Sequence, residues 1–304
     1  MAAGTGGLLG LVLIALRFYS PQGPMQQMAF KARRVERVAH MRYSLAAAAA
    51  AEKSAVLAAS EPGALDFADQ ARSASAEVEV ARRELGTLLE AGGTAKEREL
   101  LANFSSCFGD LQRIDHDLLE LAVQNTNVKA TRLAFGPAAE AVGAMDAALS
   151  HLFAARPTAP RDVLLLAAGA RAAAWRLQAQ LAPHIAEPSD QRMDEMEAQM
   201  ARDHGEIRRA LAVLAARPEL AADPDLATAR AAYARFGELR SQILVLSREN
   251  TNVRSLAISL DQKRKVTAVC EDALYALQQE IEEEPTAGVP PNPRQLIGEP
   301  PPEP

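Results

Sequence analysis

Gln124-Asn125-Thr126-Asn127-Val128-Lys129 returns once in the chain, as Glu249-Asn250-Thr251-Asn252-Val253-Arg254. The offset of 125 holds without a gap from Phe108/Tyr233 through Leu111/Phe236, Leu118/Ile243, Leu121/Leu246 and Leu133/Ile258 to Leu149/Leu274 and Leu152/Leu277. Upstream the match is looser and shifts by one residue, with Glu61-Pro62 answering Glu187-Pro188 and Leu85 answering Leu211. A fixed long period of this kind marks one structural unit written twice.

The unit is helical. Phe104, Cys107, Leu111, Ile114, Leu118, Leu121, Asn125 and Val128 recur in steps of three and four, as do Phe236, Leu239, Ile243, Leu246, Asn250, Val253, Ala257 and Leu260. That period is the seam of helices packed side by side. Thr94 with Glu97 three positions on has the form of a capping box. Glu61-Pro62-Gly63, Gly92-Gly93, Arg156-Pro157-Thr158-Ala159-Pro160, Pro218 and Pro224 fall at the joints. Gly136-Pro137 predicts a break or kink in copy one; Asp261-Gln262 at the matching place predicts an unbroken final helix from Leu226 to Glu282.

The fold expected is therefore all-α, with two tandem antiparallel four-helix-type bundles and roughly six to eight helices. The divisions are an apolar signal- or anchor-like segment at 1–24, a first bundle at 25–156, a second at 157–284, and a disordered Pro-rich tail at 285–304. A hydrophobic share of 48% with only 4% aromatic residues suits narrow alanine and leucine seams.

Charge and motif content exclude several classes. A formal net charge of −6 opposes nucleic-acid binding, which rests on neutralising phosphates. The five histidines form no metal-binding pair, and Asp115-His116-Asp117 diverges around a helix, so no metal and no cofactor are expected. No catalytic fingerprint is present, which makes an enzyme unexpected. Cys107 and Cys270 do not hold matching repeat positions and read as two small core residues, without a disulfide. Trp175 reads as a packing anchor.

The repeated polar phrase carries two readings. On a continuous helix Asn125 and Asn250 enter the core, while Asn127 and Asn252 turn away from it. One reading is a buried polar layer that fixes helix register. The other is a ligand pocket in which Asn125, Asn127, Lys129, Asn250, Asn252 and Arg254 hold a carboxylate or similar anion.

Glu52-Lys53-Ser54-Ala55-Val56, the run from Leu119 to Ala130 and the run from Ser247 to Leu256 together resemble the extracytoplasmic four-helix-bundle sensor region of bacterial methyl-accepting chemotaxis proteins, in a tandem form. The resemblance covers roughly residues 35–283. It implies a receptor module that binds a small ligand or a receptor partner, forms a possible homodimer, and lies on the periplasmic side of the inner membrane, tethered by its N-terminus. Departing from that pattern, the sequence after Glu284 offers neither a second apolar span nor a long methylatable helix, so as it stands the chain is expected to receive but not to signal alone. The competing expectation is a helical scaffold that associates with a receptor or with itself.

Overall fold

The computed structural model describes residues 23–284. The apolar run before them and the Pro-rich stretch after them lie outside the described residues. Among the described residues there is no strand, and the all-α expectation holds. The helices are α1 (Pro24–Val56), α2 (Glu61–Gly92), α3 (Ala95–Gln124), α4 (Thr126–Leu133), α5 (Ala139–Ala154), α6 (Arg161–Ala186), α7 (Asp190–Ala215), α8 (Pro224–Glu249), α9 (Thr251–Ile258) and α10 (Arg264–Glu283). One π-helical turn, Ala134–Ala138, joins α4 to α5, and another, Ser259–Lys263, joins α9 to α10.

Side-chain caps explain three of the helix starts. The capping box at the start of α3 forms as expected: Thr94 N–H donates to Glu97 Oε2 at 2.7 Å, and Glu97 N–H donates to Thr94 Oγ1 at 3.1 Å. Asp223 caps α8 by accepting from the N–H groups of Asp225 and Leu226, with Pro224 in the first turn where its missing donor costs nothing. Ser189 caps α7 through Arg192 N–H.

Burial repeats with the sequence. Leu118 and Ile243, Leu149 and Leu274, and Leu152 and Leu277 are all fully enclosed, as are the paired positions Phe108/Tyr233 and Leu111/Phe236 to within 5%.

The chain divides into two compact units, and the boundary does not fall at residues 156/157 as the repeat alone suggests. One unit holds residues 23–48, Arg72–Gln112 and 265–284; the other holds Ala49–Ala71 and Arg113–Arg264. In the first, α10 from copy two supplies Cys270, Leu274, Leu277 and Ile281 to a core made with Val38, Met41, Val78, Leu85, Phe104 and Leu111 from copy one. In the second, α5 from copy one supplies Val142, Met145, Leu149 and Leu152 to a core made with Ala170, Leu177, Ile207, Leu211, Phe236 and Ile243 from copy two. Each bundle thus takes three helices from one copy and its fourth from the other. This is the geometry of a domain swap, here closed within one chain.

That exchange corrects the reading of the cysteines. Cys107 on α3 and Cys270 on α10 are joined by a disulfide, with Cα atoms 5.7 Å apart. Had each copy kept its own fourth helix, the residue opposite Cys107 would be Met145, which answers Cys270 in the repeat and sits in the other core. With a sequence separation of 163 between the two cysteines, the crosslink restrains the unfolded chain strongly. Reduction, or Cys270→Ser, is expected to cost about 2–4 kcal/mol in denaturant unfolding. A wild-type curve unchanged by reductant would contradict the link.

The final helix of copy two is not continuous either. It is interrupted at Asn250 and again at residues 259–263, the counterparts of the interruptions in copy one. Since copy two has Asp261-Gln262 where copy one has Gly136-Pro137, the π-turn does not depend on proline. Trp175 is 44% exposed and anchors no core.

Candidate functional site

Asn125 and Asn250 are the only non-glycine residues with positive φ among those described, both at φ 53°. Asparagine is the side chain that tolerates this left-handed conformation best after glycine. Each therefore ends one helix and begins the next, and the phrase is a hinge point in the backbone before it is a set of ligands.

The two hinges meet. Thr126 Oγ1 and Thr251 Oγ1 are 3.1 Å apart, Thr126 N–H donates to Thr251 Oγ1 at 3.2 Å, and Thr251 N–H donates to Thr126 Oγ1 at 3.1 Å. Asn127 N–H donates to Asn252 Oδ1 at 3.1 Å, and Asn252 N–H returns the bond to Asn127 Oδ1 at 3.2 Å. The amides cross as well: Asn127 Nδ2 donates to Asn250 Oδ1 at 2.8 Å and Asn252 Nδ2 to Asn125 Oδ1 at 2.7 Å. The N–H groups left free where helices start are thereby satisfied by the opposite copy. We call this reciprocal set the clasp.

The clasp alters the roles read from sequence. Asn125, Asn127 and Asn250 are buried and Asn252 is half-buried, so Asn127 and Asn252 face the partner segment and do not turn away. Lys129 pairs with Glu61, and Arg254 is exposed. The four asparagines come together; the two cations do not join them.

The clasp is not fully symmetric: Asn127 Nδ2 also donates to the Ile185 carbonyl at 2.6 Å, a bond without a counterpart at Asn252. Asn250 Nδ2 donates to the Glu187 carbonyl at 2.9 Å, whereas the buried Asn125 Nδ2 has no partner. Glu187 lies in an extended link, but Glu61, its counterpart, is already the first residue of α2 and its carbonyl is committed to the helix.

A double-mutant cycle tests the clasp. Thr126→Val removes the acceptor for Thr251 N–H, and Thr251→Val the acceptor for Thr126 N–H, so each alone is expected to cost about 1–3 kcal/mol. Because they share the same bonds, the double variant should lose less than the sum by at least about 0.5 kcal/mol. Strict additivity would contradict reciprocal pairing.

Two further polar clusters lie in the same unit, built on Asp115 and on His184, which the sequence named only to set aside as metal ligands. Lys263, the last residue of the second π-turn, is buried with its Nζ 2.5 Å from Asp115 Oδ1 and 3.1 Å from Glu52 Oε2. Two carboxylates share one ammonium there, and burial pushes the Asp115 carboxyl up against the opposing pull of Lys263. The usable signal was repeat asymmetry: Lys263 answers Ala138, and Asp115 answers Arg240.

The other cluster is centred on His184, whose Nδ1 lies 2.8 Å from Ser247 Oγ and whose Nε2 lies 2.9 Å from Glu197 Oε1. Arg248 Nε donates to the same Glu197 oxygen at 2.7 Å. The composition is that of a Ser-His-Glu set, but Ser247 is fully buried and its hydroxyl donates to the His184 carbonyl at 2.9 Å. With Ser247 and His184 both enclosed, the set is a polar strut linking α6, α7 and α8. Burial lowers the His184 pKa, against the pull of Glu197.

A cleft of about 450 Å³ lies between α7 and α8. Arg208, Arg230, His204 and Tyr233 line it with Leu211, Ala212, Ala234 and Gly237. His204 Nδ1 and Tyr233 Oη are 2.5 Å apart. Burial raises the Tyr233 hydroxyl to about 12, and burial with the nearby Arg240 and Arg208 lowers the His204 imidazole. Among the described residues no cluster of histidine, cysteine and carboxylate side chains could hold a metal ion. No family profile matches the chain, and no curated protein does.

Proposed function

We propose that the chain is a sensory module of chemoreceptor type, in which a small molecule bound beside the helices biases their packing. The observation that carries this reading is the α7–α8 cleft, where two arginines, a histidine and a tyrosine converge with no carboxylate in the lining. Convergent polar groups over an apolar floor are the usual make-up of a small-molecule site.

The mechanism is a population shift between two packings, driven by the ligand's differential affinity for them. The paired π-turns and left-handed asparagines supply the places where helices can move, because π-turns concentrate at functional irregularities. An extracytoplasmic setting fits the Cys107–Cys270 disulfide, since such bonds persist in oxidising compartments.

The scaffold reading has its own support, a clasp whose asparagines are spent on one another instead of a ligand. A thermal-shift screen of the full chain against amino acids, organic acids and inorganic anions separates the two. A specific ligand at 100 times its Kd stabilises the folded state by about 2.7 kcal/mol. A saturable rise in melting temperature is the outcome expected of a sensor; a flat screen would reject it in favour of the scaffold.

A further inference from the structure

The two copies can be compared with each other, position by position, and they diverge in charge around the α7–α8 cleft. In copy one Arg82 stands where copy two has Arg208, and it is neutralised by Glu79, at 2.7 and 2.8 Å. Arg82 holds that carboxyl down at about 2. Arg82 Nη1 also reaches Ser105 Oγ at 3.3 Å, which shows that these two helix positions face each other within bonding distance.

Copy two keeps the arginine and loses the acid that balances it. Gly205 replaces Glu79, Arg230 replaces Ser105, and Arg240 replaces Asp115. Val78 and Phe108, both apolar core residues in copy one, become the hydrogen-bonded pair His204 and Tyr233. Arg240 Nε is buried without a hydrogen-bond partner. Asp203, the acid that acts on Tyr233, is already held by Arg176 at 3.1 Å and Gln180 at 2.9 Å.

Arg208 and Arg230 line one cleft whose lining holds no carboxylate, and Arg240 and Arg208 both act on its His204 and Tyr233, so an anion seated there would offset like charge. Guanidinium pairs bind carboxylate and phosphate oxygens in forked geometry, and an apolar flank adds affinity only for a ligand with carbon to bury. From this divergence we propose that the α7–α8 cleft is a binding site for a small organic carboxylate, held by Arg208 and Arg230 over the Leu211–Ala212–Ala234 wall. The inference rests on the sensory reading and names its ligand class.

The test is calorimetric titration and thermal shift of the full-length protein with succinate, glutarate and benzoate, with phosphate and sulfate at matched ionic strength. At least one carboxylate should bind saturably, and Arg208→Gln or Arg230→Gln should weaken it at least about tenfold. Both arginines are exposed, so the unliganded melting temperatures should stay at the wild-type value.

Gly205→Glu is the sharper variant. It restores the copy-one acid beside Arg208 at a helical position where a Cβ meets only the flexible end of Arg209, at 3.4 Å. Binding should fall while stability holds or rises, because glutamate is a better helix former than glycine. Equal binding of phosphate or sulfate would overturn the organic class, and carboxylate binding untouched by all three substitutions would overturn the site. A different ligand whose effect survives in these variants would leave the sensor standing and remove this site; no ligand at all would remove both.

Discussion

Lys263→Met is expected to destabilise the protein by about 3–5 kcal/mol at neutral pH, because it strands Glu52 and Asp115 in the core without their cation. Methionine fills similar volume, so the loss is electrostatic and not a cavity effect. The pH dependence identifies it. A carboxyl whose folded pKa lies above its unfolded value stabilises most below the unfolded pKa, and that contribution is lost as pH rises through the folded pKa. Asp115 is already raised in the wild type, and removing Lys263 takes away the influence that lowers it. The gap between variant and wild type should therefore narrow as pH falls toward about 4, the ordinary carboxyl range. Denaturant unfolding at pH 7 and pH 4 measures both quantities; a gap that stays constant would contradict the buried triad.

Glu97→Ala is expected to cost as much, about 3–5 kcal/mol, for two reasons that meet in one side chain. Its carboxylate accepts two bonds from buried Arg34, at 2.6 and 2.7 Å, and it closes the capping box on Thr94 N–H. Removal leaves a guanidinium that is only 2% exposed, with Glu284 as its remaining acid partner. Losing the cap alone accounts for about 1 kcal/mol, so a Thr94→Ala control separates the contributions. If Glu97→Ala costs no more than Thr94→Ala, the Arg34 pair contributes nothing.

Both residues show what was legible in the sequence and what was not. Glu97 was readable as a cap because a capping box is local, fixed by a three-residue spacing. Its pairing with Arg34, 63 positions away, was not. The repeat foretold equal burial at Leu118/Ile243 and Leu152/Leu277, since equivalent positions in duplicated helices face equivalent seams.

It could not foretell which copy supplies the fourth helix of each bundle. Leu149 and Leu274 have the same side chain and the same register, so own-copy and exchanged packing satisfy the hydrophobic pattern equally. Only residues that differ between copies distinguish the two arrangements, and Cys270 against Met145 is such a pair. The left-handed asparagines were hidden for a related reason: Asn125 and Asn250 continue the apolar period, and periodicity does not report φ. The twice-used asparagine was itself the signal, as the residue that pays least for that conformation apart from glycine.

The exchange also sets what a shift at the cleft can reach. Tyr233 and Phe236 on α8 belong to the same core as Val142, Met145 and Leu149 from copy one. A ligand that repositions α8 against α7 therefore acts on packing contributed by both copies, with the clasp holding the backbones of α4 and α9 together.

Exchange of the fourth helices is the claim on which the rest stands, and peptide mapping of the oxidised, monomeric protein tests it most directly. Digestion without reductant should release one crosslinked species joining the Cys107 peptide to the Cys270 peptide, lost on reduction. Two free, fully alkylated thiols in the folded protein, after expression in an oxidising compartment, would contradict it.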